Sequence, residues 1–214
     1  MLKIWGREDS LNVQKVMLCV RELGIPHEQI NAGHRFGLID QPWYLAMNPN
    51  GLIPTIDDDG FVLWESNAIV KYLCAKHSLG DLCPTDPQEY ADADRWMSWQ
   101  GSTLGITMRQ ILVNMVRTPP EQQNRPFIDE LVATTKKHWT VLNGRLEGRD
   151  YIMGPKFSMV DIVFAPHVYR WFTYPIEGRP DLPHVKAWYD RLSTREHYNP
   201  HFTAGDVVTG LKTG

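Results

Sequence analysis

Three short segments of this chain carry residue types suited to holding a small, charged, peptide-like molecule. The first is Asn48-Pro-Asn-Gly-Leu-Ile-Pro54-Thr-Ile56, which runs a proline into what reads as a strand. Proline supplies no ladder N–H, so it belongs at a sheet edge or a strand start. Two arrangements satisfy this. Either an edge strand begins at Pro54, or the Ile53–Pro54 bond is cis, a form found in about 5–6% of X-Pro bonds in folded proteins. The cis form leaves the Ile53 N–H and C=O open to pair with an extended peptide, much as an added strand would. The second segment, Trp64-Glu-Ser-Asn-Ala-Ile69, lies at a strand-to-helix junction. A helix start carries roughly +0.5 charge and unpaired N–H groups, so it favours a carboxylate. Ser66 either holds such a carboxylate or caps the helix. Glu65 beside it suits an ammonium, and the pair together suits an amino-acid zwitterion.

The third segment is Asp9-Ser10-Leu-Asn12-Val-Gln-Lys15-Val16, at the first strand-to-helix turn. Ser10 or Asp9 makes a normal N-cap. Alternatively, Ser10 and Asn12 point a hydroxyl and an amide at a ligand thiolate. A free thiol titrates near 8.5, and helix starts lower it. A drop of about two units needs roughly 2.7 kcal/mol of preference for the anion. One charge-directed hydrogen bond together with the helix dipole supplies that order of energy.

The elements that must position these segments fall into two groups. Strands are expected at Leu2 to Trp5, Ile25 to Ile30, Ile53 to Ile56 and Phe61 to Trp64, the last two joined by the hairpin signal Asp59-Gly60. A helix from Ser10 places Val13, Val16, Met17, Val20 and Leu23 on one face, with Gly24 at its C-cap. A short helix is expected over Pro42 to Met47, and another from Glu65-Ser66 with Ile69, Tyr72 and Leu73 inward. The order β-α-β-α-β-β-α stops at a linker, residues 79–87, rich in glycine and proline. Beyond it only helical periods appear, over Tyr90 to Arg117, Glu121 to Leu146, Ser158 to Phe172 and Leu182 to Leu192. The tail after Arg195 shows no clear period and is expected to wrap over the surface. The reading is an α/β domain over residues 1–78 and an all-α helical bundle over residues 88–214.

Composition bounds the rest. The chain has 214 residues, 43% hydrophobic and 22% charged, which is ordinary globular usage and excludes a disordered or fibrous protein. Lys and Arg number 22 against 25 Asp and Glu, a net charge of −3. That argues against a general nucleic-acid binder and gives no basic face for an anionic membrane. The start turns charged before a signal-peptide apolar region can develop, and no long apolar run spans a membrane. Cys19, Cys74 and Cys83 are odd in number and widely spaced, so a reduced, cytoplasmic protein is expected.

On these residues the sequence resembles a cytosolic glutathione transferase, and the resemblance covers essentially the whole chain. It rests on Asn-Pro-x-Gly-x-Ile-Pro at 48–54, then Asp-Gly, then Glu-Ser-x-Ala-Ile at 65–69, with Asn12, Pro54 and Ser66 in the family's order. Phe157-Ser158-Met-Val-Asp161-Ile162 agrees in the second half. It reads as a helix start with a Ser cap, an acid at the third position and a hydrophobic staple. The resemblance implies a thioredoxin-like first domain, a helical second domain, glutathione as co-substrate between them, and no metal. It implies attack of the glutathione thiolate on a small hydrophobic electrophile, in a detoxification role, by a homodimer. Carried over by position, Ser10 is the thiol-activating hydroxyl, five residues before the basic Lys15. Asn12 matches an asparagine that contacts glutathione in some bacterial classes and competes with Ser10 for the catalytic role. Ile53, at the Pro54 turn, pairs through its backbone with the cysteinyl unit, and Glu65 and Ser66 bind the γ-glutamyl end.

The chain also departs from the family's pattern. Leu52 replaces the polar residue common before the Ile-Pro step, so the glycyl carboxylate must be held elsewhere, with Arg35 and His34 as candidates. No tyrosine lies near residues 5–10, and no cysteine occupies position 10. Cys19 lies nine residues further, about 13 Å along a helix, and cannot substitute. Met108 and Trp171 are candidates for an apolar substrate pocket, against the alternative that such residues at helical spacing form core. A metal site at His197 and His201 is not expected, since Pro200 denies the helix that would align them. Two other readings compete with the transferase: glutathione-dependent reduction of peroxides or disulfides, and a non-catalytic glutathione-binding docking domain. Docking needs no set of Ser10, Asn12, Glu65 and Ser66 together.

Overall fold

The computed structural model describes residues 1–198; the expected tail beyond that point, with His201, lies outside the described residues. Four short strands, β1 (Leu2–Trp5), β2 (His27–Ile30), β3 (Thr55–Asp58) and β4 (Phe61–Trp64), form one sheet in the order β2-β1-β3-β4. β1 runs parallel to β2 and antiparallel to β3, and β3 runs antiparallel to β4. The mixed sheet follows from its connections. The β1–β2 pair is joined through helix α1 (Leu11–Glu22), whereas β3 and β4 are joined by the tight Asp59-Gly60 turn. Both turn residues have positive φ, 52° and 95°, the geometry that matches the twist of a two-residue hairpin. β3 begins at Thr55, two residues later than the Ile53 start expected from sequence, because Pro54 lies outside the ladder.

Helix α1 buries Val13, Val16, Met17 and Val20, and it stops as its glycine predicts. Gly24, at φ 62°, donates to Arg21 O while Ile25 N donates to Val20 O at 2.8 Å, which closes the last orphan carbonyls. Helix α3 (Ser66–His77) packs on α1, and both pack on the second half of the chain. The short α2 (Pro42–Met47) covers the other sheet face, where Trp5, Ala32 and Tyr44 form a separate small cluster. Alternation along β1 explains the split. Leu2 and Ile4 join the main core and Trp5 joins the small one.

Beyond residue 87 the named elements among the described residues are helical. α4 (Pro87–Trp99), a π turn over Gln100–Leu104, α5 (Gly105–Ile111) and a second π turn over Leu112–Arg117 form one continuous path. α6 (Arg125–Leu146) starts later than Glu121. Pro120–Gln122 makes a 3-10 turn, and the Asn124 side chain accepts from Phe127 N and sets the true start. α7 (Met159–Thr173) is buried from Met159 to Trp171, and α8 (Pro183–Ser193) packs on it and on α6. The Ser158 to Asp161 capping box forms as the sequence predicts. Asp161 accepts from Ser158 N and Oγ at 2.9 Å and from Ile152 N and Trp188 Nε1 at 3.0 Å. A single apolar core runs from the sheet through α1 and α3 into this bundle.

Candidate glutathione site

The sheet brings all the sequence-predicted segments to one of its ends. Ile30, Trp5, Thr55 and Trp64 stand in register as a single row across the four strands. The chain leaves the row after Trp5 toward Ser10, after Ile30 toward His34, and after Trp64 into Glu65. It enters the row through Pro54. Segments far apart in sequence therefore meet because their strands share a register.

The Ile53–Pro54 bond is cis, which decides between the two arrangements open from sequence. Three side chains hold the turn through one carbonyl. Leu52 O accepts from Tyr44 OH at 2.7 Å and from Asn48 Nδ2 at 2.9 Å, with Thr55 Oγ1 at 3.5 Å. Asn48 and Tyr44 both also reach Thr55 Oγ1. Asn48 thus has a positioning role that its place in the motif did not disclose. Among the described residues no backbone partner engages the Ile53 N–H or C=O, so an edge peptide unit remains open to an extended ligand.

At the start of α3 the cap alternative for Ser66 does not hold. Glu65 occupies the N-cap position, and no side chain caps the helix. Ser66 is the first helical residue and is buried, while Glu65 is exposed at φ 73°, ψ 110°. That conformation is costly for a non-glycine residue, and strain of this kind gathers at ligand sites. At α1, Ser10 is the N-cap by backbone geometry, yet its hydroxyl accepts no helix N–H. Asn12 lies exposed in the first turn.

Between these two helix starts lies Lys15, only 3% exposed. Its Nζ approaches Asn67 Oδ1 and Gln100 Oε1 at 3.1 Å and Ser66 Oγ at 3.5 Å. Burial lowers its pKa to about 7 against the opposing pull of Glu65. Gln100, in the first π turn, is held in turn by Asn67 Nδ2 at 2.9 Å and sits 3.1 Å from His167 Nε2. Burial, then the charges of Lys15 and Arg170, push His167 well below its ordinary value. Gly105 is required here, because a Cβ would lie 2.7 Å from Gln100 O and 2.9 Å from its Nε2. Sequence reasoning noted Lys15 only as a basic residue and missed Asn67, Gln100 and His167. A buried polar run inside an amphipathic helix gives no local signal of what it meets across the domain boundary.

The turn after β2 closes the remaining side. Gly33, at φ 81°, approaches so closely that a Cβ would stand 3.2 Å from Ile53 Cδ1 and 3.5 Å from Arg7 Nη1. Arg7 and Arg35 both pair with Asp9, at 2.9 and 3.6 Å. Arg35 is largely exposed and covers the Phe36 ring, and His34 is exposed at φ 52°. Both candidates for the glycyl carboxylate therefore stand at the same sheet end. Arg7 joins them as a cation that sequence reasoning passed over.

Two candidates lie elsewhere. Met108 is 1% exposed and Trp171 fully buried in the main core, where Trp171 stacks on Trp139 with ring centroids 5.5 Å apart. Both side chains are spent on packing, so the core alternative describes them and the pocket reading does not. Cys19 is buried against Cys74, Sγ to Sγ 3.6 Å. That hydrogen bond, then burial, pushes its thiol well above the ordinary range, so it is a poor nucleophile. Among the described residues no helix is long and apolar enough to cross a membrane. No group of three or more His, Cys, Asp or Glu side chains there is placed to hold a metal ion.

Comparison with known proteins agrees with this architecture. Residues 9–76 match the glutathione S-transferase N-terminal domain family, and residues 125–191 match the glutathione S-transferase C-terminal domain family. The chain is 40% identical over 197 residues to glutathione S-transferase GstB of Escherichia coli (strain K12), covering 91% of this chain and 94% of GstB. The theta class glutathione S-transferase from the citrus canker pathogen Xanthomonas axonopodis pv. citri, solved with glutathione bound, aligns with a TM-score of 0.89 at 40% identity. That alignment covers 94% of this chain and 97% of the other. A probable glutathione S-transferase GSTF1 of Oryza sativa subsp. japonica is 29% identical over 201 residues, 91% of this chain and 92% of its own. A small mixed sheet followed by a helical second half is the architecture of the glutathione transferase enzymes that these comparisons name. The chain belongs to the glutathione S-transferase family.

Proposed function

We propose that residues 1–78 bind glutathione at the sheet end described above and that the helices from residue 88 onward close the site. The tripeptide lies along the open edge of Ile53, beside Pro54, with its cysteinyl unit paired to the Ile53 backbone. Its γ-glutamyl carboxylate meets Ser66 and the uncapped start of α3, and its ammonium meets Glu65. Arg35 and His34 face the glycyl carboxylate. The thiol meets Ser10 and Asn12 at the start of α1, where a hydroxyl or amide donor and the helix dipole favour the thiolate. The thiolate then attacks a small hydrophobic electrophile, forming a carbon–sulfur bond as the leaving group takes the displaced electron pair. A cytoplasmic homodimer with a detoxification role is the setting this reading carries with it.

The single observation that supports this reading most is the shared register of Ile30, Trp5, Thr55 and Trp64. It gathers an open peptide edge and two uncapped helix starts at one place. Following the thiolate absorbance of bound glutathione against pH tests it. The expected result is a bound thiol titrating below the free value of about 8.5. An unshifted titration, or no binding at millimolar glutathione, refutes it. A panel of halides, epoxides, peroxides and mixed disulfides then separates conjugation from reduction.

A further inference from the structure

A buried ammonium needs a counter-charge at bonding distance or its proton is held weakly. Lys15 has three neutral oxygens around it, from Ser66, Asn67 and Gln100. Among the described residues no carboxylate forms an ion pair with it. The charged and titratable groups facing it are Glu65 from the start of α3 and His167 from α7, beside which Arg170 also acts on His167. Glu65 is exposed, His167 is bonded to Gln100, and Arg170 donates to Gln14 Oε1 at 2.8 Å. α4 and its π turn contribute only the neutral Gln100. The polypeptide therefore surrounds this cation with dipoles at bonding distance, and its one facing carboxylate, Glu65, acts on it only from longer range.

Ser66 links that deficit to the ligand. Its hydroxyl is the one Lys15 approaches, and it opens a helix whose first N–H groups have no side-chain cap. We infer that Lys15 is a positioning residue whose ammonium is completed by the ligand carboxylate held at Ser66, so that the arriving anion draws a proton from solvent onto Lys15. The inference rests on the reading that Ser66 receives the γ-glutamyl carboxylate. Burial has already brought Lys15 down to about 7, so near neutral pH both forms are populated and the anion selects one. The ligand raises the Lys15 value. Binding is therefore strongest below about pH 7 and weakens as pH rises toward the value in the complex, by up to about tenfold per pH unit.

The test uses S-methylglutathione, which has no thiol to ionise. Calorimetric titrations of the full-length protein in buffers of different ionisation heat give the protons taken up on binding. The wild type is expected to take up more than half a proton at pH 8 and close to none at pH 6. Lys15→Arg, whose charge is fixed, is expected to bind without that uptake. Lys15→Met is expected to bind about 10- to 100-fold more weakly at pH 6, the scale of a hydrogen-bond system built on a charge. Equal proton counts in wild type and Lys15→Arg at pH 8, with S-methylglutathione still bound, would overturn the inference and leave the proposed function standing. Should neither variant fold, zero uptake by the wild type at pH 8 overturns it alone. A wild type that binds neither glutathione nor S-methylglutathione overturns both readings.

Discussion

Replacing Ser10 by Ala separates two roles that look identical in sequence. An N-cap serine ordinarily accepts a helix N–H, and its loss to Ala costs about 1 kcal/mol. In a domain of this size that moves the melting temperature by roughly 2–4 °C. Here the hydroxyl accepts from no helix N–H, and the backbone at φ −82°, ψ 121° suits alanine. The capping cost is therefore absent, and Ser10→Ala is expected to melt within about 1 °C of the wild type. The effect on bound ligand is expected to be large. A hydrogen bond to a charged group contributes about 1.5–3 kcal/mol. At about 1.4 kcal/mol per pKa unit, losing it raises the bound thiol by about one to two units.

The assay is the thiolate absorbance of bound glutathione against pH, read beside a thermal melt of the same variant. With the wild-type bound thiol about two units below 8.5, the thiolate fraction at pH 7 should fall about 3- to 25-fold, and turnover should recover as pH is raised. A variant that melts several degrees lower while its bound thiol titrates unchanged would show that Ser10 only caps α1. Asn12→Ala run in parallel assigns the donor, since Asn12 is exposed in the first turn and caps nothing.

Four further outcomes follow from the same geometry. Asp161→Ala strands Ile152 N, Ser158 N and Trp188 Nε1 without their acceptor, and denaturant unfolding should show a loss of about 3–5 kcal/mol. Burial lifts Asp161 to about 6 from an ordinary 3.8, so its contribution is fullest below 3.8 and declines as pH rises through 6. The stability gap between wild type and Asp161→Asn should therefore shrink from pH 4 to pH 7. Glu65→Gly removes the strain of φ 73° and should raise stability by about 1 kcal/mol, while a glutathione titration shows weaker binding. Gly105→Ala drives a Cβ into Gln100 and should cost about 1–3 kcal/mol. Its KM for glutathione should also rise, because Gln100 holds Lys15.

Much of the site was legible because it sits where local chemistry is strongest. Pro54, the Asp59-Gly60 turn, Gly24 and the Ser158–Asp161 box each impose a backbone shape on their neighbours, and each is found where the sequence places it. Alternatives stayed open where a role depends on a distant residue. Ser66 looks like a cap from its neighbours, yet the strained backbone of Glu65 takes the cap position and frees the Ser66 hydroxyl toward Lys15. Trp171 has the type and spacing of a pocket residue or a core residue. Only its stack on Trp139 from α6 decides. Asn48 could not be read as the anchor of Leu52 O, since that contact exists only once the turn has folded back.

The distribution of helix caps argues for the site independently of any motif. In the second half of the chain, Asp86, Asn124 and Ser158 cap α4, α6 and α7 with their own side chains. α8 borrows Asn143 Oδ1, which accepts from His184 N and Val185 N. At α2 Pro42 removes one of the orphan donors. α1 and α3 have neither device, and each forgoes about 1 kcal/mol of stability by the usual measure. These two starts flank the open Ile53 peptide, and one of them also carries the strained Glu65. Loops that merely connect elements have no reason to concentrate such costs at a single sheet end. On the proposed reading, a ligand with a sulfur anion for one helix start and a carboxylate for the other recovers both. Saturating glutathione should accordingly raise the melting temperature of the wild type more than that of Ser66→Ala; equal shifts would mean that the start of α3 takes no part in binding.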